Sequence, residues 1–275
     1  MNIALCFSGQ LGGFKTSYPF LLENVIKPNN PDIFCYTSNA ISQKDFYREP
    51  KFNFSPDGPI CEYLRSGFGW RKNYDTYGII YNIKESDIQS TLWSYLGESI
   101  KYLNIEQEIV SDCTSYDTDM QKWDWLKKRQ LSKLKSCNTA VKKSEKDYDI
   151  VIRSRFDIAP KISIDISKIL ELQGGLSNNQ NTIFVFGGWG PKGAPMTFMD
   201  EFFVDGFAFG TPRVMDVFCS LVDLEKPYPP NPKYVRTYDT WGDNVEHQFR
   251  EHMLANNIDI KYISSNPKEY KINRT

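Results

Sequence analysis

The chain has 275 residues, about 40% of them hydrophobic and 15% aromatic, with a formal net charge of −1. That is enough apolar material for one sizeable core, and the length fits a single α/β domain with insertions. No run of lysine and arginine is long enough for a nucleic-acid surface, which excludes that class of partner. The start, Met1 to Phe7, lacks the basic and long apolar regions of a signal peptide, and no apolar run reaches the roughly 18 residues of a membrane span. The expectation is a cytoplasmic, soluble chain without a membrane span.

In chain order, Ile3 to Phe7 reads as a strand buried on both faces, ended by the glycine-rich turn Ser8-Gly9-Gln10-Leu11-Gly12-Gly13. Thr16 to Ile26 has helical spacing and is expected to break at Pro28 and Pro31; Ile33 to Thr37 is a second apolar strand. This opening predicts a mostly parallel sheet with crossover helices. Residues 39 to 78 are rich in Pro, Gly, Asn and aromatics and read as an irregular insertion or flap.

Ile79 to Tyr81 is a short strand, Ser86 to Leu103 a helix, and Glu108 to Val110 a further strand. Met120 to Ser144 is the clearest helix, with Trp123, Leu126, Leu134, Cys137 and Val141 on one stripe. Gln130 falls on the same stripe, a polar residue on a face expected to be buried. Lys127, Lys128, Arg129, Lys133 and Lys135 read as a solvated face of that helix. Asp149 to Ile152 and Thr182 to Phe186 are strands, and Gly187 to Gly193 is a loop carrying Trp189. Phe202 to Val204 and Phe207 to Phe209 flank Asp205-Gly206, a strong hairpin signal. A helix starts at Thr211 or Pro212 and runs to about Leu224. After a Pro/Tyr-rich loop at 226–238, a last helix spans Asp243 to Asn256 and a last strand Ile260 to Ile263. The six cysteines form no Cys-x-x-Cys pair and read as scattered buried thiols.

Chemistry concentrates at the end of the strand at 149–152. There the apolar run gives way to charges at alternate positions, Arg153, Arg155 and Asp157. A period of two puts them on one face if the strand continues that far. Burial without partners costs several kcal/mol each, so they need partners. Two guanidiniums match phosphate oxygens in charge and shape, and a carboxylate can hold Mg²⁺ or Mn²⁺. The pattern therefore reads as a metal-diphosphate site, or equally as an internal Arg-Asp salt bridge.

Three segments carry a resemblance: Ser8-Gly9-Gln10-Leu11, Val151-Ile152-Arg153-Ser154-Arg155-Phe156-Asp157 and Asp205-Gly206-Phe207-Ala208-Phe209-Gly210. In this order they resemble a group of bacterial and giant-virus glycosyltransferases of the glycosyltransferase-A fold, whose members share an opening "SGQLR-x-F", a middle "D-x-V-I-R-x-R-x-D" and a later "D-x-F-x-x-G". Gly12 and Gly13 stand where that opening usually carries Arg. The resemblance implies a single Rossmann-like α/β domain with a mostly parallel sheet flanked by helices. It also implies transfer of a sugar from a nucleotide-sugar donor to a glycan or other hydroxyl acceptor, assisted by a divalent cation, Mn²⁺ or Mg²⁺.

Carried onto this chain, Asp157 matches the second Asp of the fold's "D-x-D" metal motif, with Arg155 in place of the first. Arg153 and Arg155 would then face the diphosphate, and Ser8, Gly9 and Gln10 the base and ribose. Gln130 is a candidate for the nucleotide, or a buried amide satisfied by the protein. Trp189 is a candidate for stacking on the donor sugar. Asp205 and Asp243 are candidate catalytic bases, although Asp243 with Glu246 also resembles a capping box. His247 is a candidate metal ligand. The alternative is a catalytically silent nucleotide- or glycan-binding module on the same fold. Nucleotidyl transfer to sugar phosphates is the weaker third reading, because Ser8 to Gly13 lacks Arg and Lys.

Overall fold

The computed structural model describes residues 1–42, 59–65, 76–107, 127–187, 203–229, 245–264, 266 and 268–272. Its centre is a seven-stranded sheet built from β1 (Ile3–Ser8), β2 (Asp32–Ser38), β6 (Ile100–Glu106), β7 (Ile150–Ser154), β9 (Thr182–Gly187), β10 (Phe203–Gly210) and β11 (Asp259–Ser264). The order across the sheet is β11-β9-β10-β7-β1-β2-β6. β1 pairs in parallel with both β2 and β7, β2 with β6, and β9 with β11; β10 alone runs antiparallel, between β7 and β9.

Side chains alternate across these strands, so each face of the sheet builds its own core. Ile3, Leu5, Phe7, Ile150, Ile152, Phe207 and Phe209 face one layer of helices: α1 (Phe14–Leu21), α2 (Glu85–Leu96) and α4 (Ile166–Leu172). Ala4, Cys6, Val151, Val185 and Ala208 face the other layer: α3 (Ser132–Lys142), α5 (Pro212–Cys219) and α6 (Val245–Ala255). The result is an α/β/α stack on a mostly parallel sheet, as the apolar runs predict. Among the described residues no helix is long and apolar enough to cross a membrane.

The first helix is longer than expected. After α1 the chain makes a π turn, Leu22–Ile26, and one more α turn, Lys27–Asn29, and stops at Asn30, whose φ is 43°. Pro28 is tolerated because its missing N–H leaves no bond unmade. The Asn24 carbonyl that a helical residue 28 would use accepts instead from the Ile164 N–H, at 2.7 Å.

The expected helix Ser86 to Leu103 is corrected to α2, followed by a 3₁₀ turn and the edge strand β6. Gly97, with φ 55° and ψ −140°, turns the chain out of the helix, and Ile100 to Glu106 pairs with β2. The expected strand at Glu108 to Val110 lies outside the described residues.

The segment after β2 is more regular than its composition suggests. β3 (Ala40–Ser42), β4 (Pro59–Arg65) and β5 (Thr76–Asn82) form a three-stranded antiparallel sheet in the order β3-β5-β4. This excursion leaves and rejoins the domain at one place. The Ile83 N–H donates to the Asn39 carbonyl at 2.8 Å, and the Asn39 N–H to that of Glu106 at 3.0 Å. Separately, β8 (Ile158–Pro160) pairs antiparallel with β12 (Tyr270–Ile272).

The hairpin expected at Asp205-Gly206 is also corrected: β10 runs straight through both residues. Phe203 pairs with Gly187 and Ala208 with Val185, so more residues lie on β10 than opposite it on β9. The turn residues are used for this irregularity, not for a reversal.

At the far end of β10, Gly210 lies against the start of α5. A Cβ there would sit 2.9 Å from Val214 Cγ1 and 3.1 Å from the Thr182 carbonyl. Val214 can shift, but the backbone of β9 cannot. Gly210→Ala is expected to cost about 1–3 kcal/mol, read as a lower urea midpoint with an unchanged denaturant slope.

Candidate functional site

Strand order decides where a ligand can sit. From β1 the chain crosses to β2 and then β6 on one side, and later returns to place β7 on the other side of β1. The chain thus leaves the carboxyl ends of β1 and β7 toward opposite edges of the sheet, a switch point of the kind where open α/β sheets form a ligand crevice. The residues at these two ends are Ser8-Gly9-Gln10 and Ser154-Arg155-Phe156-Asp157.

The end of β1 is shaped by glycine. Gly9 has φ 121°, and its N–H donates to the Tyr36 carbonyl at 3.2 Å. Ser8 is buried and Gln10 half-buried at the turn. Gly13, with φ 76°, is the cap residue of α1. Gly9 thus serves the backbone, and a Cβ there would meet nothing within 4 Å.

At the end of β7 the three charges separate, because the strand ends at Ser154 before the alternation can reach Arg155 and Asp157. Arg153 is still within the strand, opposite Cys6, and only 1% exposed. Its charge bears on the thiols of Cys6, Cys137 and Cys219. It lies in the α3/α5 core layer, under the crevice rather than at its edge.

Arg155 and Asp157 form a two-pronged ion pair beyond the strand. Nε donates to Oδ1 at 2.8 Å and Nη2 to Oδ2 at 2.5 Å. The two side chains are 22% and 11% exposed, so the pair lies in the partly open edge. The Arg155 backbone is held as well: its N–H donates to the Gly206 carbonyl at 2.9 Å, and its carbonyl accepts from Ser154 Oγ at 3.0 Å.

The first of those bonds brings in the third segment. Phe207 pairs with Ser154 across β7 and β10, so Asp205 and Gly206 continue β10 alongside Arg155 and Phe156. Three stretches separated by up to about two hundred residues in sequence thus share the carboxyl edge of β1 and β7.

The remaining expected residues are placed differently. Gln130 is half-buried in a π turn, Lys127–Leu131, preceding α3. The wider turn moves the buried stripe along by one residue, so Leu131 rather than Gln130 packs with Leu134, Cys137 and Val141. Trp189, Asp243 and the residues of the expected helix before Lys127 lie outside the described residues. His247, in α6, has the Pro229 carbonyl 3.3 Å from Nε2 and Glu251 Oε1 4.0 Å from Nδ1. Among the described residues no three His, Cys, Asp or Glu side chains converge as a metal site. Cys6, Cys35, Cys137 and Cys219 are free and buried, as expected, and burial pushes the Cys35 and Cys137 thiols upward.

Sequence reasoning missed Lys133. It was expected on a solvated face, but it is 2% exposed, and Nζ pairs with Glu106 Oε1 at 2.8 Å. The ion pair ties α3 to the carboxyl end of β6, beside Asn39. The signal lay in Leu131, Leu134 and Cys137, which bracket Lys133 closely enough to draw it inward. Its neighbours Lys127 and Lys135 do reach outward, to the Leu224 carbonyl and to Asp223.

A groove of about 1070 Å³ lies elsewhere, between α3 and the outer strands β2 and β6, lined by Phe34, Tyr36, Tyr102, Lys101 and Tyr148 among others. None of the expected site residues whose side chains are described lines it. No protein-family model matches the chain, and no curated protein matches it.

α6 also holds Tyr228, at the start of the Pro/Tyr-rich segment. The Tyr228 N–H donates to Gln248 Oε1 at 2.6 Å, Gln248 Nε2 donates to the Tyr228 carbonyl at 3.1 Å, and the Tyr228 hydroxyl lies 3.0 Å from His252 Nδ1. His252 Nε2 lies 3.0 Å from both the Val217 carbonyl and Ser220 Oγ. Burial lowers the His252 pKa below 6.5, against smaller opposite effects of the Val217 carbonyl and Asp223. A depressed histidine pKa means that the unfolded chain takes up the proton first as pH falls. Stability is therefore expected to be level above about pH 6.5 and to decline below it. Melting temperatures at about pH 7.5 and 5.5 should differ less in His252→Gln than in the wild type.

Proposed function

We propose that this chain is a glycosyltransferase of the glycosyltransferase-A type, moving a sugar from a nucleotide-sugar donor to a glycan or other hydroxyl acceptor. The observation that carries the reading is the meeting of Ser8-Gly9-Gln10, Arg155-Asp157 and Asp205-Gly206 at one sheet edge, where the strand order reverses. These are the segments that carry the resemblance, and nothing in their sequence spacing requires them to meet. The mostly parallel sheet, with helices on both faces, supports the same reading.

In this proposal the nucleoside lies against the β1 end, where Gly9 lets the backbone approach closely. The diphosphate lies at Arg155. As the anomeric C–O bond breaks, its electron pair passes to the diphosphate oxygen, and the developing charge is met by the guanidinium. The acceptor oxygen forms the new bond to the anomeric carbon and gives its proton to a carboxylate. Asp205, beside Arg155 on β10, is the first candidate for that base and Asp243 the second.

The divalent cation that the resemblance implies meets a difficulty in this arrangement. Both oxygens of Asp157 accept from Arg155, and His247 Nε2 lies 3.3 Å from the Pro229 carbonyl. As they stand, the described residues do not form a metal site. The same closed pair favours the second reading, a silent module that binds nucleotide or glycan without turnover.

Thermal shifts with UDP-, GDP-, CMP- and dTDP-sugars separate these readings. One donor class at about a hundred times its Kd is expected to stabilise the fold by about 2.7 kcal/mol, roughly 5–10 °C in Tm. Asp205→Asn should keep that shift and lose donor turnover by about 10²- to 10⁴-fold. A shift without turnover in the wild type identifies the silent module; no shift with any donor sinks the donor site.

A further inference from the structure

We infer that Arg155, oriented by Asp157, occupies the place of the divalent cation at this site, so that nucleoside diphosphate binding is independent of metal. The inference rests on the donor-site reading above and concerns what neutralises the diphosphate there.

The geometry of the pair is the first ground. A carboxylate ligates Mg²⁺ or Mn²⁺ through the same oxygen lone pairs that accept hydrogen bonds. Here Nε and Nη2 of Arg155 take one oxygen each, in the parallel fork that suits a guanidinium and a carboxylate. A cation at Asp157 would be left only the lone pairs outside the fork, and would sit beside a positive charge that cannot be deprotonated. With both side chains mostly buried, water screens that repulsion poorly.

The second ground is anchorage. Asp157 takes two of the five N–H donors, on one edge of the guanidinium, and so fixes its plane. The Arg155 backbone is pinned independently through Gly206 and Ser154. A planar group held at both ends is already in position when charge develops, the condition under which an electrostatic contact accelerates a reaction. On this reading Arg155 touches the diphosphate and Asp157 is a positioning residue.

The third ground is the arrangement around the pair. His247 lies against the Pro229 carbonyl and Glu251. Among the described residues no three His, Cys, Asp or Glu side chains gather around Asp157, whereas an Arg-carboxylate pair needs no third member.

The test is calorimetric titration of the full chain with UDP, GDP, CDP and dTDP, each with EDTA and with Mn²⁺ or Mg²⁺. The diphosphate that binds is expected to show Kd values within about twofold across these conditions. Arg155→Lys keeps the charge but loses the fork, and is expected to weaken that diphosphate by about tenfold or more, which corresponds to about 1.4 kcal/mol. Asp157→Asn should weaken the diphosphate but leave the matching nucleoside monophosphate unchanged, a selectivity that mere loss of structure would not produce. Circular dichroism on each variant confirms that it folds.

A tenfold or greater loss of affinity on chelation in the wild type overturns the inference and leaves the donor site standing. So does an unchanged Kd in Arg155→Lys. Failure of all four diphosphates under every condition removes the donor site, and this inference with it.

Discussion

The parallel pairing of β1 with strands on both its sides is the constraint on which the rest of the molecule depends. A parallel neighbour cannot be reached by a tight turn, so β2 and β7 must each be entered through a crossover. The two crossovers lie on opposite sides of β1, and the carboxyl ends of β1 and β7 lie side by side. The glycine turn at Gly9 and the charged end of β7 meet at one edge for this reason alone. β10 then enters antiparallel beside β7, bringing its own first residues to that edge where a parallel strand would have brought its last. The antiparallel insertion is what delivers Asp205 and Gly206.

The charges near this edge are disposed in three different ways, and the differences follow from where each lies on its strand or helix. Arg153 is one residue too early: it remains in the strand, faces a helix layer and is sealed among cysteines. Arg155 is just past the end, where the backbone leaves the sheet, and can turn back to Asp157. Lys133 reaches the edge from a helix and meets Glu106 at the end of β6. A buried ion pair of this kind contributes little net stability, because desolvation offsets the attraction. Its effect here is to fix position: α3 is tied to the outer half of the sheet at the level of the crevice.

Much of this was legible in the sequence, and the failures have identifiable physical causes. Ile3 to Phe7 and Asp149 to Ile152 read as buried strands because runs apolar at every position bury both faces. Leu134, Cys137 and Val141 read on the right face of α3, but Gln130 does not, because a π turn at Lys127–Leu131 shifts the stripe by a residue and puts Leu131 in its place. Asp205-Gly206 looked like a hairpin because the same residue types serve a turn and a strand irregularity, and only the neighbouring strands decide between them. Alternation at Arg153, Arg155 and Asp157 implied one face only while the strand lasted, and the end of a strand is set by its partners. Of the candidate site, the segments were visible but not their meeting, which depends on strand order.

On the proposed reading, the Arg155-Asp157 pair is a metal motif with one residue exchanged, and the exchange changes what the remaining residue can do. A carboxylate beside another carboxylate is electrostatically frustrated until a cation joins them, so such a pair draws in metal. A carboxylate beside a guanidinium is already neutralised, and a metal would have to restore the frustration in order to bind. The same aspartate therefore has opposite consequences in the two settings, ligand in one and tether in the other. What is preserved is the charge presented to the crevice. A metal brings more of it, but only as firmly as its ligands hold it. A guanidinium brings one positive charge, covalently attached, with its plane set by Asp157 and its backbone by Gly206. On that reading the site gives up charge magnitude and retains placement, and an already anchored dipole or ion is what stabilises a leaving group through placement.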